Sequence, residues 1–271
     1  MTVEGNSKTA INAKLKSNQA RPAYALRALG RSDLPATLSL SGVEYQHVAT
    51  IKHDFFAATG FYDDSKGRRV VLKVGRVVEC AGVPLKWIGK WLCRREIRFY
   101  SRLCDLPFVP AVLGTWGETG FIHEYVPGRP LSREHPVPDR FFDQLCDLFE
   151  ELHRRHIAYV DANKPQNILL GEDGLPHLID FQISWDLAEL GDNAINRWWL
   201  SKLQREDLAH LLKHKKRLRP DEMTRKEWEA VNHRSLLIRF HRFVSKPWFL
   251  LRRRTFSRLR QAGRLLPEGS K

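Results

Sequence analysis

The sequence predicts an α+β fold in which short strands precede a mainly helical second half. Three observations predict it: a β-branched run at residues 69–74, apolar residues at helical spacing over 91–103 and 141–152, and an Asp-Gly turn between two apolar arms at 167–181. A chain of 271 residues is long enough for one such unit with a substantial core.

The β-branched run reads RVVLKV and is typical of a strand. Strand alternation places Lys73 on the same face as Val71, and places the remaining apolar side chains on the other face. Lys73 is therefore predicted to lie on the face opposite a hydrophobic core.

The helix predicted over residues 91–103 carries Leu92, Phe99 and Leu103 on one apolar stripe, and Glu96 falls inside that stripe. An unpaired buried carboxylate is costly, so Glu96 needs a cationic partner. Lys73 is the natural candidate. The alternative is a solvated glutamate on the shoulder of the helix.

Residues 120–131, GFIHEYVPGRPL, predict an apolar strand that ends at a Pro-Gly turn. A second helix is predicted beyond it, and its apolar residues recur at helical spacing: Phe141, Phe142, Leu145, Leu148, Phe149 and Leu152. This helix leads directly into the segment that contains Asp161.

Residues 159–181 read YVDANKPQNILLGEDGLPHLIDF and predict a β-hairpin. Folding it about the midpoint between Asp173 and Gly174 sets Asn167 opposite Asp180, at roughly 5 Å. An amide oxygen and a carboxylate at that spacing suit Mg²⁺, which prefers hard oxygen ligands. A surface hairpin with acidic turn residues is the alternative.

In this order along the chain, the strand lysine, the helix glutamate and the hairpin resemble the catalytic core of the protein-kinase-like superfamily. The resemblance implies a bilobal α+β fold with a small antiparallel-sheet N-lobe, a mainly helical C-lobe and a basic helical C-terminal extension. It also implies that ATP and Mg²⁺ are used as cofactors.

The resemblance assigns a role to each matching position. Asp161 would orient the attacking hydroxyl or act as its base, and Lys164 would lie near the transferred phosphoryl group. Asn167 and Asp180 would bind Mg²⁺. Lys73 and Glu96 would form the pair that holds the ATP phosphates, and backbone groups around Glu124 and Val126 would bind the adenine.

The catalytic segment departs from the superfamily pattern. Asn167 lies one position farther from Asp161 than is usual, so Asn163 could compete as a metal ligand. Tyr159 and Val160 stand in place of the histidine and arginine that normally precede the aspartate, and the residue after the Asp-Phe pair of residues 180 and 181 is glutamine rather than glycine.

The strand before Lys73 departs from the pattern as well, because no GxGxxG precedes it. Phosphate contacts would have to come from the backbone of the segment IKHDFFAATGFY, or from Lys52 and His53. Together, the departures favour a compact bacterial branch similar to lipopolysaccharide core kinases, RIO-type kinases and aminoglycoside phosphotransferases.

Positive charge is concentrated at the C-terminal end. Residues 200–271 hold 20 Lys and Arg against 7 Asp and Glu, within a chain of formal net charge +14. Basic residues alternate there with Leu, Phe and Trp, which predicts amphipathic helices that bind an anionic membrane surface or a phosphorylated glycolipid. A helical cap with a solvated basic face is the alternative, and nucleic-acid binding is a weaker one because no stacking motif is present.

These patterns predict four segments: an N-terminal arm at 1–38, an N-lobe at 39–126, a C-lobe at 127–220 and a basic tail at 221–271. The four cysteines include no CxxC pair, and no signal peptide or membrane-spanning run is recognisable. The protein is therefore expected in the cytoplasm, in part peripheral on the inner face of the membrane.

The sequence thus predicts an ATP- and Mg²⁺-dependent kinase. The expected acceptor is a sugar of lipopolysaccharide or another glycolipid, followed by a protein serine or threonine. A pseudokinase scaffold that docks on membrane through its basic tail is the competing prediction.

Overall fold

The computed structural model describes residues 24–79 and 83–232. Its N-terminal part is an antiparallel sheet of six strands in the order β1-β2-β3-β4-β6-β5. The strands are β1 (Thr37–Leu40), β2 (Val43–His53), β3 (Ala57–Asp64), β4 (Arg69–Gly75), β5 (Val112–Trp116) and β6 (Gly120–Glu124). Helix α1 (Lys86–Arg102) packs against β4, so the sheet and this helix form the N-lobe.

The N-lobe core lies on one face of the sheet. Val70, Leu72 and Val74 are buried in it, as strand alternation predicted for β4. Leu29 and Leu34 are buried in the same core, although they precede the predicted lobe boundary at residue 38. That boundary stays a prediction, and residues 1–23 of the predicted arm lie outside the described residues.

Helix α1 approaches the end of β4 closely because Gly89 has no side chain. A Cβ added at Gly89 would meet the Arg76 carbonyl oxygen at 2.1 Å. Glycine at this position therefore allows the helix to lie directly on the strand end, about two turns before Glu96.

The C-terminal part is mainly helical. Its elements are β7 (Gly128–Pro130), α2 (Phe141–Arg154), β8 (Ile157–Ala158), β9 (Ile168–Gly171), β10 (Pro176–Leu178), β11 (Trp185–Asp186), α3 (Leu187–Leu190), α4 (Ala194–Leu218) and α5 (Arg225–Asn232). Strands β10, β9 and β7 form one small sheet, and β11 pairs with β8 in another. The predicted α+β fold is confirmed.

The C-lobe core is the larger of the two. All six apolar residues that predicted helix α2 are buried, and they pack with residues of β9, β10 and α4. Phe181 and Tyr159 lie inside this core at 0% exposure, so the segments that flank the candidate site are fixed by the core itself.

A column of aromatic rings connects the two lobes. Phe121 of β6 lies 5.8 Å from Tyr100 of α1, and Tyr100 lies 5.3 Å from Phe181, measured between ring centroids. Tyr159 continues the column 5.1 Å from Phe181. Because these rings are buried, moving one lobe against the other would disturb aromatic packing near the site.

Residues 219–232 pack on the C-lobe. Arg219 pairs with Asp139, and Lys215 of α4 pairs with Glu227 of α5 at 2.8 Å. The rest of the predicted basic tail, residues 233–271, lies outside the described residues. Over the described ranges, we find no helix that is both long enough and apolar enough to span a bilayer.

Candidate active site

Lys73 joins two carboxylates from different parts of the chain. Its ammonium lies 2.8 Å from Glu96 Oε1 on α1 and 2.9 Å from Asp180 Oδ1 beyond β10. The predicted contact between Lys73 and Glu96 is confirmed, and Glu96 is 1% exposed. The contact with Asp180 was not predicted, and it ties the N-lobe strand directly to the C-lobe.

Burial and charge act in opposite directions at this bridge. Burial disfavours the charged ammonium, but Asp180 and Glu96 outweigh it and raise the pKa of Lys73. Burial likewise raises the pKa of Glu96 to about 7, against the opposing effect of Lys73. The raised pKa of Lys73 indicates a stable ammonium, whereas the raised pKa of Glu96 indicates a carboxylate that is protonated more easily. We assign both groups as charged, because the Lys73 ammonium contacts two carboxylates within 3 Å.

Asp180 is the firmly ionised member of the group. Burial alone would raise its pKa, but Lys73, with smaller contributions from Lys52 and Lys164, lowers the pKa of Asp180 to about 2. Lys73 is the cation in direct contact with Asp180, and the charges of Lys52 and Lys164 add to the lowering.

A second group forms in the loop at residues 161–167. Asp161 Oδ2 accepts hydrogen bonds from Lys164 Nζ and from Asn167 Nδ2, both at 2.7 Å. Asp161 and Asn167 are buried, whereas the Lys164 side chain is 53% exposed. Asn163 is exposed and instead accepts a hydrogen bond from Lys213 of α4, so it does not join this group.

The predicted register of the hairpin is wrong by one residue. Asn167 does not face Asp180: its carbonyl accepts a hydrogen bond from Ile179 N at 3.1 Å, in line with the pairing of β9 and β10. The turn holds three residues between Gly171 and Leu175, with Gly174 at φ +79°, rather than the two-residue turn assumed from Asp-Gly. Asn167 also lies in a 3-10 turn, Pro165–Asn167, rather than in the strand.

Asp180 nevertheless reaches the site because its backbone is left-handed, with φ 66°. This conformation is uncommon for a residue other than glycine and turns the chain sharply at the end of the hairpin. A hydrogen bond stabilises this conformation: the backbone N–H of Asp180 donates to Tyr100 Oη at 3.1 Å. Backbone strain of this kind is often found at functional sites.

Asp207 of α4 holds the loop that precedes Asp161 and was missed by sequence reasoning. Its two carboxylate oxygens accept hydrogen bonds from the backbone N–H groups of Tyr159, at 2.7 Å, and Val160, at 2.8 Å. Val160 has φ 69°, a strained value for a β-branched residue. Asp207 is fully buried, so one carboxylate fixes the strained loop that precedes Asp161.

We call residues 159–167 together with Asp180 the floor of the site, and residues 52–59 its roof. The roof is the turn between β2 and β3. Asp54 Oδ1 accepts hydrogen bonds from the backbone N–H groups of Phe56, at 2.8 Å, and Ala57, at 2.9 Å, while Asp54 Oδ2 pairs with Lys52 at 3.0 Å. The carboxylate thus caps the turn from within.

The two lobes are joined by the segment between β6 and β7. β6 ends at Glu124, and the chain enters the C-lobe sheet at Gly128. The backbone N–H of Glu124 donates to the Ala111 carbonyl at 2.9 Å. Adenine contacts at Glu124 and Val126 stay a prediction.

Three arginines of α1 attach the helix to the segment that follows Asp180. Arg95 donates to the Ser184 carbonyl, Arg98 pairs with Glu189, and Arg102 pairs with Asp186. Because Glu96 lies on the same helix, these contacts also fix the carboxylate that holds Lys73.

The donor set of the floor fits a Mg²⁺ ion. Asn167 uses its amide nitrogen on Asp161, which leaves its amide oxygen for a cation. Asp180 uses Oδ1 on Lys73, and Oδ2 has no hydrogen-bond partner among the described residues. One amide oxygen and one carboxylate leave most positions of an octahedral Mg²⁺ for phosphate and water.

Comparison with solved structures identifies the fold. The chain is similar to the Rio2 kinase of Chaetomium thermophilum, crystallised as an ADP/Mg²⁺-phosphoaspartate complex, with a TM-score of 0.51 and 17% identity over 67% of this chain and 58% of that one. The chain has a protein-kinase-like fold. The predicted bilobal architecture is thereby confirmed.

Sequence comparison agrees with the resemblance to the protein-kinase-like superfamily. The chain is 28% identical over 166 residues, or 54% of its length, to a serine/threonine-protein kinase C of Synechocystis sp.. It is 35% identical over 94 residues, or 31% of its length, to the human putative serine/threonine-protein kinase PRKY. The chain spans about a third of each relative, 30% and 34% respectively. No protein-family model matches it.

Proposed function

We propose that the chain is a phosphotransferase that moves the γ-phosphoryl group of ATP, with Mg²⁺, to an acceptor hydroxyl. The observation that carries the proposal is the meeting of Lys73, Glu96 and Asp180, which come from three distant stretches of chain. A structural ion pair needs only one carboxylate, whereas Lys73 contacts two. Together with the neighbouring Asp161 and Asn167, these side chains have the chemistry required to hold phosphate and metal.

Each side chain has a role that its contacts support. Asp161 orients the acceptor hydroxyl, and Lys164, at 2.7 Å from it, neutralises charge on the transferred group. Lys73, positioned by Glu96, holds the phosphates. Asn167 and Asp180 supply the ligands for Mg²⁺, which when bound neutralises phosphate charge. Catalysis then rests on positioning and electrostatics.

For the acceptor, we propose a sugar of lipopolysaccharide or another glycolipid at the inner membrane face, with a protein serine or threonine as the second candidate. The first is supported by the concentration of basic and apolar residues after residue 200. The second is supported by the relatives named as serine/threonine-protein kinases. Only 13 residues, 181–193, separate Asp180 from helix α4, which leaves a short segment to cover the acceptor side.

Asp180→Asn tests the proposal against a matched control, Asp173→Asn, in the exposed turn of the same hairpin. Labelled ATP is supplied with either a glycolipid or a protein mixture. We expect Asp180→Asn to lower turnover by about 1000-fold, or roughly 4 kcal/mol of transition-state stabilisation, because a metal ligand is lost. Asp173→Asn should retain turnover. The acceptor that becomes labelled decides between the two candidates.

A pseudokinase scaffold is the alternative, and it is favoured by the replacement of the usual His-Arg pair with Tyr159 and Val160. Thermal unfolding with and without Mg²⁺-ATP separates the readings, since a ligand at 100 times its Kd stabilises by about 2.7 kcal/mol. A shift without turnover on any acceptor supports the scaffold. No shift at millimolar ATP, or full turnover in Asp180→Asn, contradicts our assignment.

A further inference from the structure

The backbone N–H groups of the roof differ from those of a glycine-rich loop, because they already have a partner within the chain. In protein kinases a glycine-rich loop covers the ATP phosphates. Here the N–H groups of Phe56 and Ala57, at the tip of the turn, already donate to Asp54 Oδ1. A carboxylate of the chain itself occupies donors that would otherwise face an anion, so this turn needs another source of phosphate contacts.

The strand pairing supplies that source. Lys52 of β2 pairs directly with Thr59 of β3, and Thr59 pairs directly with Lys73 of β4. Side chains of directly paired residues project from the same face of a sheet and lie roughly 5 Å apart at each step. Lys52, Thr59 and Lys73 therefore form one row across three strands, and Lys73 shows that the row faces Asp180.

The charges of Lys52 and Asp180 stabilise each other, in agreement with this row. Burial disfavours its charge, but Asp54 and then Asp180 outweigh burial and raise the pKa of Lys52. Lys52 in turn contributes to the low pKa of Asp180. The side chain is 39% exposed, so a ligand in the cleft can reach it. Asp54 uses one of its three N–H donors, which leaves two for phosphate oxygens.

We propose that Lys52, with Thr59 beside it, binds the β- and γ-phosphates of the nucleotide from the roof, in place of backbone N–H groups. The row then holds the polyphosphate between two ammonium groups, with the Thr59 hydroxyl between them as a further donor. The inference rests on the proposed nucleotide site and adds a phosphate-binding side chain to it. Asp54 has a double task, because it caps the turn and orients Lys52.

Lys52→Met tests the assignment in the full-length chain, with Lys66→Met as the matched control, because Lys66 lies in the exposed turn between β3 and β4. Calorimetry measures the affinity for Mg²⁺-ATP and for adenosine, which has no phosphate. We expect Lys52→Met to weaken Mg²⁺-ATP binding about tenfold and to leave adenosine binding unchanged. Lys66→Met should change neither, and Lys52→Arg should recover part of the loss.

The outcomes are distinguishable from failure of the proposed function. If the unaltered chain binds Mg²⁺-ATP and Lys52→Met binds it equally well, the roof assignment is overturned while the nucleotide site stands. If the unaltered chain binds no nucleotide, both fail. Should Lys52→Met not fold, Thr59→Val, which keeps the side-chain shape and removes the hydroxyl, tests the same row. A several-fold loss for Mg²⁺-ATP alone supports the row, and unchanged affinity contradicts it.

Discussion

The floor and the roof of the candidate site are held by side chains of opposite charge. The floor is held by Asp207, a fully buried carboxylate that accepts hydrogen bonds from two backbone N–H groups of a strained loop. The roof is tied by cations: Arg76 donates to the Phe55 carbonyl at 2.9 Å and stacks 4.0 Å from the Phe55 ring, and Arg27 contacts His53. The tip of the roof is exposed, with Phe56 at 40%.

This difference indicates which half of the site is rigid. A buried carboxylate that satisfies two N–H groups has no solvent substitute, so the floor has one conformation at low free energy. The roof tip is exposed at Phe56, and exposed segments are the parts of a fold that open most readily. Substitutions at the floor should therefore lower the free energy of unfolding more than substitutions at the roof.

The largest expected effect comes from Asp207→Ala. It leaves the N–H groups of Tyr159 and Val160 buried without partners, and we expect the free energy of unfolding to fall by about 4 kcal/mol. Urea denaturation measures it. Asp139→Ala is the control, because its carboxylate is 86% exposed and pairs with Arg219 at the surface. If Asp207→Ala lowers the free energy of unfolding no more than Asp139→Ala does, Asp207 does not hold the floor.

An intermediate effect is expected from pH at the roof. Burial, followed by the Arg27 charge, lowers the pKa of His53 to about 4. The unfolded chain binds this proton near pH 6.5, so stability is full above pH 6.5 and is lost as the pH falls from 6.5 to 4. We expect a loss of about 3 kcal/mol from this residue by pH 4, since one pKa unit corresponds to about 1.4 kcal/mol.

His53→Gln should remove that part of the pH dependence while retaining a polar side chain beside Arg27. The free energy of unfolding is measured at pH 7, 5.5 and 4 in both proteins. Other buried histidines, such as His123, whose pKa is about 4, titrate in both and cancel in the difference. Parallel curves for the two proteins would show that His53 does not hold the roof.

The smallest effect is expected at the arginines that attach α1 to the segment after Asp180. Arg102 is 37% exposed and pairs with Asp186, which is buried. We expect Arg102→Ala to lower the free energy of unfolding by about 1 kcal/mol, since a partly exposed pair contributes little. Arg154→Ala, whose partner Glu151 lies on its own helix, should cost less. Equal losses would indicate that the α1 contacts do not couple the lobes.

The sequence predicted the floor better than the roof, and the reason is physical. Asp161, Asn167 and Asp180 stand out because oxygen-bearing side chains at a short spacing suggest a metal. Asp207 acts on backbone N–H groups, which leave no pattern in the sequence. The hairpin register failed because Asp-Gly fits both two- and three-residue turns.

Lys52 was raised as one candidate for phosphate contact, but its face on the sheet was not readable from alternation. Strand β2 changes register between His47 and Ala49 and again between Thr50 and Lys52. Each irregularity reverses the side to which later residues point. Strand β4 pairs with β3 without such a shift, and there alternation predicted the face of Lys73 correctly.

The ion pair between Lys73 and Asp180 competes with the ligands of the proposed nucleotide site. In the proposed function, phosphate takes Lys73 and Mg²⁺ takes Asp180, so each ligand must first separate the pair. The apparent Kd for either one is then its intrinsic value divided by the fraction of molecules in which the pair is apart. Whichever ligand arrives first relieves the second of that cost, and metal and nucleotide should bind with positive cooperativity.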